Sequence, residues 1–314
     1  MPPRETTTSS ANSETTSTRV MVAAPIRNRA WILPEYLSAL KQLEVPEGVE
    51  VGYFFLVNDS TDESLDILLS TVIGNIDDPL WPGAEFAVWD TGAEDDDRKN
   101  RREKGIYTHL QRLRDRIRQY AVDQGYDYLL SVDSDVIVQP GTLSALLAHR
   151  VDFVAAMLSN VPDGSFHAVN AAQVILGGDV PWSDPVSIGV QAPQGDGLVE
   201  VGMTGACFLA SRQALENGSY LWEAPYGSNY EKAIAALPGE DMVFAMSLKA
   251  TGIRQYLDES HRVFHCYTEE RLPELVGARR YRARAVKVLT DRAWLKTFPN
   301  EVTPPYGGYA ASSR

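Results

Sequence analysis

The stretch Tyr126-Asp127-Tyr128-Leu129-Leu130-Ser131-Val132-Asp133-Ser134-Asp135-Val136-Ile137-Val138 decides the reading of the fold. Its first seven residues read as a short apolar strand, and Val136-Ile137-Val138 resumes that character after an acidic break. Successive strand residues point to opposite faces, so alternation predicts that Asp133 and Asp135 share one face, with Ser134 between them. Two carboxylates that close repel each other and resist desolvation unless a cation or a donor sits between them. Oxygen ligands with room for water and phosphate suit Mg²⁺ or Mn²⁺. An Asp-X-Asp tripeptide also describes a solvated turn, so its surroundings carry the argument.

Upstream, Val20-Met21-Val22-Ala23-Ala24 is an apolar run ended by Pro25, as in a strand buried on both faces. Helical spacing of Tyr36, Leu37, Leu40 and Leu43 predicts a helix from Pro34 to Leu43. A second strand spans Val51–Val57 and ends in Asn58-Asp59-Ser60-Thr61-Asp62-Glu63-Ser64, which can cap a helix over Leu65–Val72. A third strand, Phe86–Trp89, ends at Asp90. A helix over Tyr107–Tyr120 carries Leu110, Leu113 and Ile117 on one face, with Arg112, Arg114, Arg116 and Arg118 around the rest. Strands alternating with helices predict an α/β fold with a mostly parallel central sheet flanked by helices. Ligands in such sheets bind beyond the carboxyl ends of the strands. Those ends here carry Pro25-Ile26-Arg27-Asn28, Asn58-Asp59-Ser60, Asp90 and Asp133-Ser134-Asp135.

Downstream, a strand at Asp152–Leu158 precedes a Gly/Pro-rich stretch, 160–198, of the kind that is functional or mobile. Strand pattern returns at Leu198–Ala210, helices at Arg212–Leu215 and Glu240–Ala250, and a strand at Val263–His265. A basic helical tail is expected over Leu272–Phe298. The chain is expected to divide into a disordered polar tail (1–18), a first half with the acidic motif (19–158), a second half (159–268), and a basic helix with tail (269–314).

Composition narrows the classes. The 314 residues suffice for a sizeable core, and 44% hydrophobic with 23% charged residues is ordinary for a soluble globular protein. A net charge of −13 argues against a general nucleic-acid binder, whose affinity comes from neutralising phosphates. Cys207 and Cys266 sit in apolar surroundings without metal-ligand spacing, which predicts buried thiols in a reducing compartment. No apolar run approaches the ~20 residues of a membrane span, and the polar first 18 residues lack the apolar centre of a secretory signal. Cytoplasmic localisation is therefore expected.

Taken together, these pieces resemble the GT-A nucleotide-sugar glycosyltransferases, particularly the large inverting family that includes chitin and cellulose synthases. Val22-Ala23-Ala24-Pro25-Ile26-Arg27-Asn28-Arg29 resembles that family's first strand and nucleotide loop, and Asn58 to Ser64 its second, usually Asp-Asp-Gly-Ser-Thr-Asp. Asp133-Ser134-Asp135 takes the place of the metal motif. Gly205-Ala206-Cys207-Phe208 resembles the strand before the acceptor-side helix, Gly239-Glu240-Asp241 the catalytic motif, and Val263-Phe264-His265 the late histidine of the metal site. A second resemblance, through Leu33-Pro34-Glu35-Tyr36, Gly52 to Val57 and the arginines 112 to 118, is to fungal Golgi α-1,6-mannosyltransferases, which retain anomeric configuration.

The resemblance implies a UDP- or GDP-sugar donor, a Mn²⁺ or Mg²⁺ cofactor, and a glycan, lipid-linked, natural-product or other hydroxyl acceptor. It implies metal contact by Asp135, with Asp133 through water or at the ribose, and by His265, with His261 as rival four residues earlier. Asp241 is the candidate general base and Glu240 its alternative; acids also favour a helix start for capping reasons alone. Pro25, Arg27, Asn28, Asp59, Asp90, Asp133 and Ser134 are the candidate nucleotide contacts, and Arg118 a phosphate contact. Trp182 and Trp222 could stack on sugar rings or simply pack. The alternatives are a retaining mannosyltransferase-like enzyme, a nucleotidyltransferase, and a non-catalytic nucleotide- or sugar-binding module. A nucleotidyltransferase would bring a Gly-rich phosphate loop and a Lys where this chain has Pro25 to Arg29.

Overall fold

A computed structural model describes residues 17–73, 81, 84–89, 104–159, 171–176, 186–190, 197–237, 239–266 and 268–273. Asp90, Trp182, the basic tail beyond 273 and most of 160–198 fall outside them. The elements in chain order are β1 (Thr18–Ile26), α1 (Leu33–Leu40), β2 (Val49–Val57), α2 (Ser64–Leu68), β3 (Glu85–Val88), α3 (Lys104–Asp123), β4 (Tyr128–Val132), β5 (Val136–Ile137), α4 (Thr142–Ala148) and β6 (Phe153–Ser159). There follow β7 (Ala171–Leu176), β8 (Val186–Val190), β9 (Leu198–Val201), β10 (Met203–Thr204), β11 (Cys207–Ser211), α5 (Arg212–Asn217), α6 (Asn229–Ala236), α7 (Glu240–Ala250) and β12 (Gln255–His265).

The main sheet runs β3-β2-β1-β4-β11-β6-β12-β5, with β9 also on β12. β1 to β4 pair in parallel. β11 enters against both β4 and β6, and β12 then lies parallel to β6. Six of the nine strands therefore point one way, with β11, β9 and β5 reversed. A separate sheet, β10-β7-β8, lies under α6.

Alternation explains why the central strands are apolar throughout. Val20, Val22, Ala24 and Ile26 of β1 join α1 and α4 in one core, while Met21 and Ala23 join α3, α5 and α7 in the other. Covering both faces removes the need for polar positions along the strand. β1 does not stop at Pro25 but runs on to Ile26. Pairing with β4 has ended by then, at Ala23 opposite Ser131, so on that side the missing N–H of proline costs no ladder bond. The expected strand over Leu198–Ala210 is instead three strands in two sheets, broken at Gly202 and by Ala206, whose φ of 67° no regular strand allows. Among the described residues, no helix is long and apolar enough to cross a membrane.

Candidate functional site

At the carboxyl ends of β1 and β2 the two following loops are tied together by hydrogen bonds. Thr61 N donates to Asn28 Oδ1 at 2.8 Å, Asn28 N to Ser60 Oγ at 3.2 Å, Arg29 N to Ser64 Oγ at 2.7 Å and Ala30 N to Asp62 Oδ2 at 2.9 Å. Asn28 and Asp59 both take left-handed backbone angles, φ 48° and 41°, which these two residue types tolerate better than most. The side chain of Asn28 thus shapes the loop. Asp59 is bracketed by a group that sequence reasoning missed: His109 Nε2, from α3, lies 3.6 Å from Asp59 Oδ2 and 3.3 Å from Asn58 Nδ2. Burial, reinforced by the charges of Arg27 and Arg112 and opposed by Asp59, lowers the His109 pKa, so the ring is neutral at pH 7.

The acidic motif is a turn rather than a continuing strand. β4 ends at Val132, Val136 N bonds back to Asp133 O at 2.8 Å, and the chain leaves as β5 in the reverse direction. Strand alternation therefore does not apply, and the carboxylates do not share partners. Asp133 N is held by Ala206 O and the Asp135 carbonyl by Cys266 N, both at 2.8 Å, so the residue before β11 and the residue after β12 clamp the turn from two sides. Pairing of Val136 with His265 then sets the imidazole beside Asp135, with Nε2 3.2 Å from Oδ1. Arg29 Nη2 stands 3.3 Å from Asp135 Oδ2. Burial would raise the Asp135 pKa, but the His265 hydrogen bond and charge, together with Arg29, hold it below the usual carboxylate range. Ser134, in the middle of the turn, is buried.

His261 is not the partner of this turn. Its Nε2 bonds Thr142 Oγ1 of α4 at 2.8 Å, and β12 shifts register between Asp258 and Arg262, so the four-residue spacing does not keep the two histidines equivalent. Arg118 also serves elsewhere: it donates to Asp115 Oδ1 at 2.8 Å and to Leu215 O at 2.7 Å, anchoring the chain after β11. One turn earlier, Arg114 reaches the site, 2.7 Å from Asp133 Oδ1 and 3.5 Å from Glu240 Oε1. Its signal in the sequence was its place beside the buried Leu113–Ile117 stripe, where Arg112 and Arg116 face outward. Trp222 packs edge-on against Tyr230 at 5.6 Å, beside Met242 and Met246.

α7 begins at Glu240, as expected, with Gly239 before it. Burial and the Glu240 carboxylate, with Asp133 adding and Arg114 opposing, push the Asp241 pKa up to about 8. The backbone beneath Asp241 is Gly205: a Cβ built there would fall 2.2 Å from Oδ2 and 2.4 Å from the carboxyl carbon. Glycine is required here by close approach, not by conformation. Gly205→Ala is expected to displace this carboxylate and, if the site is catalytic, to lower kcat by about a hundredfold. A near-native melting temperature alongside that loss would separate displacement from unfolding.

Two of the expected metal ligands, Asp135 and His265, are in contact, and no cluster of three or more His, Cys, Asp or Glu residues able to hold a metal occurs among the described residues. Of this pair, Asp135 offers the carboxylate oxygen that a hard divalent cation takes beside waters and substrate phosphates, and His265 offers a softer imidazole nitrogen.

A mostly parallel sheet ending in these loops, with an acid-led helix beside them, is the GT-A glycosyltransferase architecture. The crystal structure of GalNAc-T7 with UDP, GalNAc and Mn²⁺ shares it, with a TM-score of 0.51 and 16% identity over 94% of this chain and 53% of that one. The S. aureus TarS structure aligns at a TM-score of 0.44 with 16% identity, over 87% and 40%. Residues 17–269 match the family described as "Glycosyltransferase family 25, N-terminal domain", and the chain belongs to that family. Its relatives include a glycosyltransferase 25 family member of Drosophila pseudoobscura pseudoobscura, 28% identical over 44% of this chain and 22% of that protein. The inactive glycosyltransferase 25 family member 3 of Mus musculus is 26% identical over 79% and 40%. The aligned part thus spans well under half the length of these two relatives.

Proposed function

We propose that the chain transfers a sugar from a nucleoside diphosphate to an acceptor hydroxyl, with a divalent cation and with inversion at the anomeric carbon. The observation that carries this reading is the meeting of Asp135, His265 and Arg29 at the carboxyl edge of the sheet, with Asp133 tied through Arg114 to the start of α7. Family membership and the UDP and Mn²⁺ named in the GalNAc-T7 structure support a UDP-sugar as the first donor to test.

Asp135 and His265 would hold Mn²⁺ or Mg²⁺, with Asp133 acting through water or at the ribose. The cation supplies neutralisation of charge on the leaving diphosphate. Arg29 offers charge-assisted hydrogen bonds to phosphate oxygens. Asp59, beside a neutral His109, accepts from the N–H edge of the base, while Arg27 and the loop shaped by Pro25 and Asn28 border the ribose. Ser134, buried in the middle of the turn, would add a nucleotide contact. Asp241, in the ionised form that a pKa of about 8 makes the minor one at neutral pH, takes the proton from the acceptor hydroxyl as the hydroxyl oxygen bonds the anomeric carbon and the bond to the diphosphate oxygen breaks. Glu240 orients that hydroxyl.

The inactive mouse relative favours one second reading, a nucleotide-binding module without turnover. Thermal shift with UDP, GDP, dTDP and CDP, each with and without Mn²⁺, separates the cases, because a ligand that binds only the folded state stabilises it by RT ln(1 + [L]/Kd). A metal-dependent shift with one nucleotide, followed by release of that nucleotide when its sugar donor and a panel of hydroxyl acceptors are supplied, supports transfer or hydrolysis. A shift without release means a binding module, and no shift with any nucleotide overturns both.

A further inference from the structure

We propose that Arg114 is a positioning residue, holding the donor-side carboxylate Asp133 and the acceptor-side carboxylate Glu240 on one guanidinium so that the two halves of the site form in register. The inference rests on the glycosyl-transfer reading above. Asp133 follows β4 and Glu240 opens α7; no strand pairing joins these two segments, whereas Arg114 touches both, at 2.7 and 3.5 Å. It is 5% exposed; its Nη2 bonds Asp133, its Nε faces Glu240 at 3.5 Å as an ion pair without hydrogen-bond geometry, and its Nη1 has no hydrogen-bond partner among the described residues.

The helix that carries it is held firmly. Next to it on α3, Asp115 accepts from Ser219 Oγ and Tyr220 N, both at 3.1 Å, while Arg118, one turn on, donates to Leu215 O. Tyr220 in turn stacks on Phe244 of α7 at 4.3 Å between ring centroids, with a 6° tilt. Phe244 lies one turn beyond Glu240 and Asp241, so α3 and α7 are braced against each other just below the acids. A planar fork can span two carboxylates at fixed angles; a lysine ammonium supplies the same charge at one point.

Arg114→Lys tests this directly, with Arg114→Gln as the second variant and active-site concentration counted by nucleotide titration. The expected result for Arg114→Lys is a fall in kcat of at least about tenfold per active site, with donor and acceptor KM changed less than about threefold. Glu240→Gln should then cost less in the Arg114→Lys background than in wild type, because the two act as a unit. Unchanged kcat per active site, or independent multiplication of the two effects, would overturn the proposal. A urea-unfolding cycle of Arg114→Gln with Asp133→Asn, without metal or donor, should show coupling even if no transfer is ever found. Its absence overturns the contact itself, so failure of the positioning role and failure of the glycosyl-transfer reading are distinguishable.

Discussion

Replacing Asp135 with alanine is expected to remove metal-dependent stabilisation by nucleotide and to lower kcat/KM by about three orders of magnitude, the several kcal/mol that charge neutralisation by a bound metal supplies. The carboxylate stands between His265 and Arg29, so its loss takes away one ligand and leaves the other two groups without the charge that orders them. Asp135→Asn keeps the shape and one acceptor oxygen and should be nearly as inactive, since a neutral amide is a poor ligand for a hard cation. Asp133→Asn should be milder towards metal, because Asp133 is engaged by Arg114 rather than by His265. Calorimetric titration of Mn²⁺ into each variant checks the order. Equal loss in both would mean that the two carboxylates act as one chelate.

Asp241→Asn should produce the second large effect, a fall in kcat of about 10² to 10⁴, the usual contribution of a positioned base. The same change should stabilise the metal-free protein at alkaline pH. The folded pKa of about 8 lies well above that of an unfolded aspartate, near 4. Below pH ~4 the group is protonated in both states and contributes no difference. Through the window up to about 8 the folded chain keeps a proton that the unfolded chain has released, so stability falls as pH rises. An asparagine has no such slope. Melting temperatures compared at pH 5 and pH 8 should converge at the lower pH and separate at the higher, with the variant the more stable. Parallel curves for the two proteins would show that Asp241 is not held protonated, and full activity in the variant would remove it as base.

The parallel half of the fold could be read directly because β1, β2 and β4 are apolar runs ending in polar loops, and α7 begins where its acids suggested. The second half resisted for a physical reason. An apolar run says that a segment is buried, not which sheet buries it, so β9, β10 and β11 read as one strand. α6 passed unnoticed although its N-cap is present: Ser228 Oγ accepts from Glu231 N, and the Glu231 carboxylate accepts from Gly227 N, the residue before the cap. At the site, residue type was legible and direction was not. Asp133 and Asp135 were recognisable, yet a turn parts them; four arginines stood on α3, and the helix phase that turns Arg114 towards the acids depends on where α3 docks.

The clamping of the acidic turn by β12 has a consequence for how the molecule comes to be active. Asp135 meets Arg29 from 106 residues before it, and its carbonyl is closed by Cys266, the residue after β12. Contacts of such sequence separation are slow to form, because loop closure must precede any gain from them. A chain still emerging from the ribosome would hold the parallel strands and the acidic turn before it holds the histidine. Competence to bind metal and nucleotide is therefore expected to arrive at the end of folding: in stopped-flow refolding, a Mn²⁺ signal should never precede the change in tryptophan fluorescence. A metal signal that leads would mean that the turn is organised without β12.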